Sequence, residues 1–207
     1  MAIKAVLFDA DNTLFDTRAV ARRCDGLAIG ELSGFGFEKK ELAAALKEIV
    51  LETNKSSDPS LRTRKYAYGL LAKKAGAPAA KVRRAVETFE SCVLSNLEPV
   101  PGAKGLLDAL RGKYKLAVLT AENRGWALRK LEANGLKKYF DAIITATEVG
   151  KMKPHTGYYS LACGKLKVRP GECVMVGDDE KNDLVPARKL GMKAYGPDFE
   201  KLKIILS

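Results

Sequence analysis

Two carboxylates, Asp9 and Asp11, stand two residues apart where the apolar run Val6-Leu7-Phe8 ends, and a small hydroxyl residue, Thr13, follows. Acids held that close repel unless a cation or hydrogen bonds compensate them. Such a pair suits a nucleophile beside a proton donor, with a metal ion between protein and substrate. Three further segments bring reactive groups to the ends of apolar runs. Thr120 closes Lys115–Thr120 and offers a hydroxyl together with the backbone N–H groups of the turn at Ala121. Lys151-Met152-Lys153-Pro154 supplies a cation, and Gly177-Asp178-Asp179-Glu180-Lys181-Asn182-Asp183 supplies a second acidic cluster at the start of a helix. In an open α/β sheet the crevice for chemistry lies at the carboxyl ends of the strands. One hydroxyl, one fixed cation and two acidic clusters therefore converge on one edge.

The elements that must position these groups alternate. Strand-like runs cover Lys4–Phe8, Lys115–Thr120, Ala142–Thr145, Cys173–Gly177 and, weakly, Met192–Tyr195. Helical patterns at Arg124–Asn134, Thr156–Leu166 and Glu180–Leu190 lie between the later strands, two of them closed by Gly135 and Gly191. This alternation predicts βαβ units and a Rossmann-like parallel sheet. The first crossover is the exception, because Phe8 to Lys115 far exceeds the dozen or so residues a crossover needs. Helical periodicity fills the gap at Arg18–Leu32, Glu38–Asn54, Leu61–Lys74 and Ala79–Leu97, with a further helix over Ala103–Arg111. The expected organisation is an α/β core of residues 1–15 and 99–207, with residues 16–98 inserted as a helical cap acting as a lid.

Composition narrows the function. The chain has 207 residues, 46% of them hydrophobic and 29% charged, as in an ordinary globular protein. An excess of 36 Lys and Arg over 25 Asp and Glu gives a formal charge of +11, which attracts small anions as well as nucleic acid. No RNP-like motif, zinc-finger spacing or lysine tract supports a nucleic-acid partner, and the basic residues scattered along helices read as solvated faces. No run is long enough to span a membrane, and Asp9 interrupts the opening apolar stretch too early for a secretory leader. The cysteines Cys24, Cys92, Cys163 and Cys173 form no framework spacing, so reduced thiols in a cytoplasmic protein are expected. A single histidine, His155, leaves little room for multi-histidine metal sites or a serine triad.

The ordered set of motifs resembles the haloacid dehalogenase-like hydrolase superfamily, in its branch of helical-cap phosphatases similar to phosphoglycolate phosphatases. The resemblance spans nearly the whole chain and implies a role for each group. Asp9 would be the nucleophile, forming an aspartyl-phosphate. Asp11 would protonate the leaving alkoxide and then deprotonate the hydrolytic water. Mg²⁺ would be held by the Asp9 carboxylate, the Asp11 backbone carbonyl and Asp178. Thr120, the backbone at Ala121 and Lys153 would bind the phosphoryl oxygens. Asp183 would orient metal-bound water or Lys153, and Asp179 would be a neighbour of the ligands or a helix N-cap. Asn12 stands where relatives frequently carry glycine, and Ala121 where an asparagine is common.

The implied activity is hydrolysis of a small phosphorylated metabolite. Alternatives are a phosphotransferase or phosphomutase, a haloacid dehalogenase, and a non-catalytic phospho-sensing protein; dehalogenases carry a non-acidic residue at the place of Asp11. Arg18, Arg22 and Arg23 open the first insert helix, where solvation is the default, and Arg18 is the one taken as a candidate contact for an anionic substrate. Cys163 and Arg169 match the bare spacing of cysteine phosphatases but lack a glycine-rich cradle. Tyr158 and Tyr159 are expected to pack a helix on the sheet, with Trp126 packing likewise. Oligomeric state is not legible.

Overall fold

A computed structural model describes residues 2–206. Five strands, β1 (Ala5–Phe8), β2 (Lys115–Thr120), β3 (Ala142–Thr145), β4 (Cys173–Val176) and β5 (Lys193–Tyr195), form one sheet in the order β3-β2-β1-β4-β5. Every pairing is parallel. β1 and β4 are buried along their whole length, which explains why they read as unbroken apolar runs rather than alternating ones. The core carries the helices α5 (Ala103–Leu110), α6 (Arg124–Ala133), α7 (Ala146–Val149) and α8 (Gly157–Leu166). On one face Leu7, Leu119, Ile144 and Met175 pack with Tyr158, Tyr159 and Ala162 of α8. The register sets Phe8 level with Val118 and Val176, and Thr120 level with Thr145. The direction in which successive strands are added reverses beside β1, because β2 and β3 extend to one side and β4 and β5 to the other. Such a switch point opens a crevice at the strand ends, directly after Phe8.

The chain divides into two compact units, one running to Thr17 and resuming at Glu98, the other spanning Arg18–Leu97. The division falls two residues later than expected at the start because Thr17 belongs to the core through its hydroxyl, which donates to Asp11 Oδ1 at 2.5 Å. The two connecting segments run side by side, Phe15 bridging Pro99 antiparallel and Val100 N–H donating to the Leu14 carbonyl at 2.9 Å.

The inserted unit is built from α1 (Thr17–Ala28), α2 (Lys39–Thr53), α3 (Arg64–Ala75) and α4 (Ala79–Asn96). α1 stops earlier than its periodicity suggests, and Ile29–Leu32 form a 3₁₀ turn. Asp25 on α1 accepts both the bidentate Arg64 guanidinium, at 2.8 and 3.0 Å, and the Tyr68 hydroxyl at 2.7 Å. The expectation of four reduced thiols is corrected here. Cys24 on α1 and Cys92 on α4 form a disulfide, while Cys163 and Cys173 are free and buried. The bonded pair lies 68 residues apart in sequence, so only the tertiary fold of the insert, with the 3₁₀ turn after α1 packed on α4, brings it together. A helix not anticipated from the sequence, α10 (Phe199–Leu206), follows β5, its buried Phe199, Leu202 and Leu206 lying on one face. No helix among the described residues is long and apolar enough to cross a membrane.

The disulfide restricts the unfolded insert, which for a loop of this length stabilises by about 2–4 kcal/mol. Replacing both Cys24 and Cys92 by serine is expected to lower the thermal midpoint of the inserted unit and to remove its response to dithiothreitol. Unchanged unfolding in oxidised and reduced wild type would show that the bond is not formed in solution.

Candidate active site

Asp9 leaves β1 with its N–H donating to the Val176 carbonyl at 2.9 Å, so sheet pairing fixes where the carboxylate starts. Asn12 sits at φ +61°, a left-handed conformation that glycine and asparagine tolerate best, which accounts for its place in the turn. The turn closes as Leu14 and Phe15 N–H donate to the Ala10 carbonyl. Thr13 is fully buried, and its hydroxyl accepts the Asp178 N–H at 3.0 Å, tying the first acidic loop to the second.

Lys153 reaches the middle of this arrangement. Its ammonium donates to Asp9 Oδ1 at 2.6 Å and to Asp183 Oδ1 at 2.8 Å, and all three side chains are buried. Asp9, Asp178 and Asp183 each present a carboxylate oxygen within 4.8 Å of the others. At that spacing each like-charged pair costs roughly 3 kcal/mol in a partly screened interior. Lys153 offsets one negative charge and leaves an excess. A donor set made wholly of carboxylate oxygens suits a hard divalent cation such as Mg²⁺ or Ca²⁺. Burial, with Asp183 and Asp11 nearby, raises the Asp9 carboxyl to about 7 although Lys153 opposes the shift.

The backbone around the cluster is held by aromatic hydroxyls. The expected helix Glu180–Leu190 begins instead as a wide π turn, Glu180–Leu184, before α9, Val185–Lys189. Pro186 has no N–H to give to Asn182. Tyr159 supplies the missing donor, its hydroxyl lying 3.2 Å from the Asn182 carbonyl and 2.8 Å from that of Asp183. Tyr158 donates likewise to the Lys151 carbonyl at 2.8 Å. The two tyrosines thus pack the sheet and also fix the loops that carry Lys153 and Asp183. Gly177 is needed for close approach, since a Cβ there would lie 2.7 Å from both Cβ and Oδ2 of Asp183. The Lys153–Pro154 peptide is cis.

The other candidates fall in different places. Asp179 is an N-cap, its Oδ1 accepting the N–H groups of Lys181 at 2.9 Å and Asn182 at 3.0 Å. Thr120 is buried at the end of β2, and its hydroxyl accepts the Glu122 N–H at 3.2 Å. Ala121 packs against the core cluster. Arg18 is exposed and belongs to the inserted unit. His155 is exposed, its Nδ1 accepting the Gly157 N–H at 3.1 Å where α8 begins. Trp126 is only half-buried, with the Arg129 guanidinium 5.4 Å from its ring.

The Asp11 side chain turns to a partner that sequence reading missed. Lys130, on the helix α6 (Arg124–Ala133), is buried and donates to Asp11 Oδ1 at 2.5 Å and to Glu122 Oε1 at 2.8 Å. Burial alone would raise Asp11, but Lys130, aided by Thr17, holds it below the usual carboxylate range. The reading of helix lysines as solvated fails at this position. The available signal was its register, since Ala127, Lys130 and Leu131 make one buried face.

Similarity to known proteins agrees with this geometry. The family model of haloacid dehalogenase-like hydrolases matches residues 3–191. The chain belongs to the haloacid dehalogenase-like hydrolase family. Human N-acylneuraminate-9-phosphatase is 30% identical over 200 residues, covering 93% of this chain and 81% of that protein. Glyceraldehyde 3-phosphate phosphatase of Methanopyrus kandleri is 32% identical over 197 residues, covering 92% and 82%. The crystal structure of a haloacid dehalogenase-family phosphatase from Thermococcus onnurineus superposes with a TM-score of 0.80 at 26% identity, covering 99% of this chain and 98% of that one. As in other haloacid dehalogenase-like hydrolases, the sheet is parallel and flanked by helices.

Two substitutions probe the cluster. Lys153→Met leaves Asp9 and Asp183 buried without their cation, which costs about 3–5 kcal/mol when both are ionised. Without Lys153 the Asp9 carboxyl moves above about 7, so the deficit is largest above that pH. It shrinks as the pH falls below that value, where Asp9 is protonated in the folded state of variant and wild type alike. Urea unfolding across that range checks the slope. Gly177→Ala is expected to displace Asp183 and destabilise the core by about 1–3 kcal/mol, which calorimetry would register as a lowered midpoint.

Proposed function

We propose that this protein is a Mg²⁺-dependent phosphomonoester hydrolase that acts on a small phosphorylated metabolite through an aspartyl-phosphate on Asp9. The observation that carries the reading is the buried Lys153 ammonium between Asp9 and Asp183, with Asp178 completing an oxygen cluster. Similarity to phosphatases named for N-acylneuraminate-9-phosphate and glyceraldehyde 3-phosphate supports a small phosphate ester as substrate.

Asp9, the Asp11 backbone carbonyl and Asp178 would hold Mg²⁺, with Asp183 beside them. The ion would neutralise the charge shared by the carboxylate and a phosphate dianion. Lys153 fixes the rotamer of Asp9 through Oδ1 and places a positive charge where the phosphoryl oxygens gather negative charge. Asp9 attacks phosphorus as the ester oxygen departs with a proton from Asp11. Asp11 then takes a proton from water as that water attacks the phosphorus of the intermediate. Thr120 and the N–H at Ala121 are assigned to the phosphoryl oxygens, and Arg18 to an anionic part of the substrate. The inserted helical unit, Arg18–Leu97, is assigned the role of a cap that excludes water and selects the substrate. Asp11 favours a phosphatase over a dehalogenase, because a departing halide needs no proton.

Purified protein is expected to hydrolyse a generic aryl phosphate with Mg²⁺, to lose activity with EDTA and to regain it when the ion is restored. Asp9→Asn should reduce kcat by at least about 10³-fold while retaining the fold by circular dichroism. Because Asp9 must be ionised and its carboxyl sits near 7 without a cation, activity should fall below that pH at low Mg²⁺. Saturating Mg²⁺ should move the acid limb to lower pH, since the ion competes with the proton. Wild-type rates in Asp9→Asn would end the proposal.

A further inference from the structure

We infer that Lys130, anchored by Glu122, is the positioning residue for Asp11 and selectively promotes the departure of poor leaving groups. The inference rests on the phosphatase reading above and adds residues outside the motifs that define it.

Lys130 comes from α6 and is only 1% exposed, a setting that a lysine takes when its charge is paired. Its ammonium is forked between Asp11 Oδ1 and Glu122 Oε1, and it lies 5.8 Å from the Phe15 ring centroid. Thr17 Oγ1 donates to the same Asp11 oxygen. Two donors on Oδ1 fix the carboxyl plane of Asp11 and assign the transferable proton to Oδ2. Glu122 Oε1 restrains the lysine from the other side. Lys153 holds Asp9 in a comparable way, so each of the two acids in the first motif has its own buried lysine.

The chemistry follows from that orientation. As the P–O bond of the ester breaks, its electron pair goes to the departing oxygen and the proton of Asp11 Oδ2 moves to that oxygen. Asp11 becomes a carboxylate whose plane stays fixed, because Lys130 and Thr17 hold Oδ1 while Oδ2 gives up the proton. In the second half a water O–H bond breaks, the oxygen bonds to phosphorus, the proton returns to Oδ2, and the electron pair of the acyl-phosphate bond returns to Asp9. Lys130 remains an ammonium throughout. Its contribution is therefore largest where proton delivery matters most, with an alkoxide leaving group, and smallest with nitrophenolate, which departs without one.

The test compares Lys130→Met with wild type on glycerol phosphate and on 4-nitrophenyl phosphate. A second variant, Lys130→Met with Glu122→Gln, removes the buried carboxylate that the single change strands, a replacement that buried ion pairs tolerate. Both variants are expected to lose about 10²–10³-fold in kcat/KM on the alkyl ester and less than about tenfold on the aryl ester, because kcat/KM reports leaving-group departure and excludes the shared hydrolysis of the aspartyl-phosphate. In an Asp11→Asn background the lysine change should add no further discrimination. Equal losses on the two esters, or none, in folded variants overturn the inference and leave the phosphatase reading intact. A wild-type protein inactive on both esters overturns both.

Discussion

The structure turns on a charge problem: Asp9, Asp183 and Lys153 are all taken out of water at the end of a parallel sheet. Buried carboxylates at this spacing repel by several kcal/mol, and one ammonium relieves only part of that. The neighbouring elements serve this arrangement. β1 and β4 deliver the two acidic loops side by side, Thr13 ties one loop to the other, and Gly177 clears the space that Asp183 occupies. Tyr159 satisfies the carbonyls that the proline-interrupted helix leaves open. In the proposed reaction, stability given up to hold charge in a low-dielectric crevice is returned as a preorganised field for a phosphate ester.

A second buried lysine makes the same compromise beside Asp11. The two acids of the first motif are thereby placed in opposed environments, Asp9 pushed up by burial and Asp11 held down by Lys130. In the proposed reaction the first is a nucleophile and the second moves protons, and each is oriented by an ammonium through one oxygen.

Much of this was legible before the structure. The strands are short apolar runs ending in polar residues, and β2 and β3 fall where that pattern puts them. The long first crossover announces an insert because a parallel connection does not need so many residues. What escaped reading depends on packing between segments distant in sequence. Cys24 and Cys92 meet only because the 3₁₀ turn after α1 packs on α4, and Lys130 meets Asp11 only because α6 returns beside the first loop. The π turn at Glu180–Leu184 had a local cause in Pro186, yet its compensation comes from a phenol in another helix. Local pattern indicates which elements form. It does not say which charged side chain of an element turns inward.

The central claim is a covalent bond between Asp9 and phosphorus during turnover. Borohydride added to the enzyme while it hydrolyses a saturating substrate reduces an acyl phosphate to an alcohol, converting the modified aspartate to homoserine. Peptide mapping is expected to find that product at position 9, dependent on both substrate and Mg²⁺. Sustained turnover with position 9 unmodified, or with the label on another carboxylate, would contradict the account.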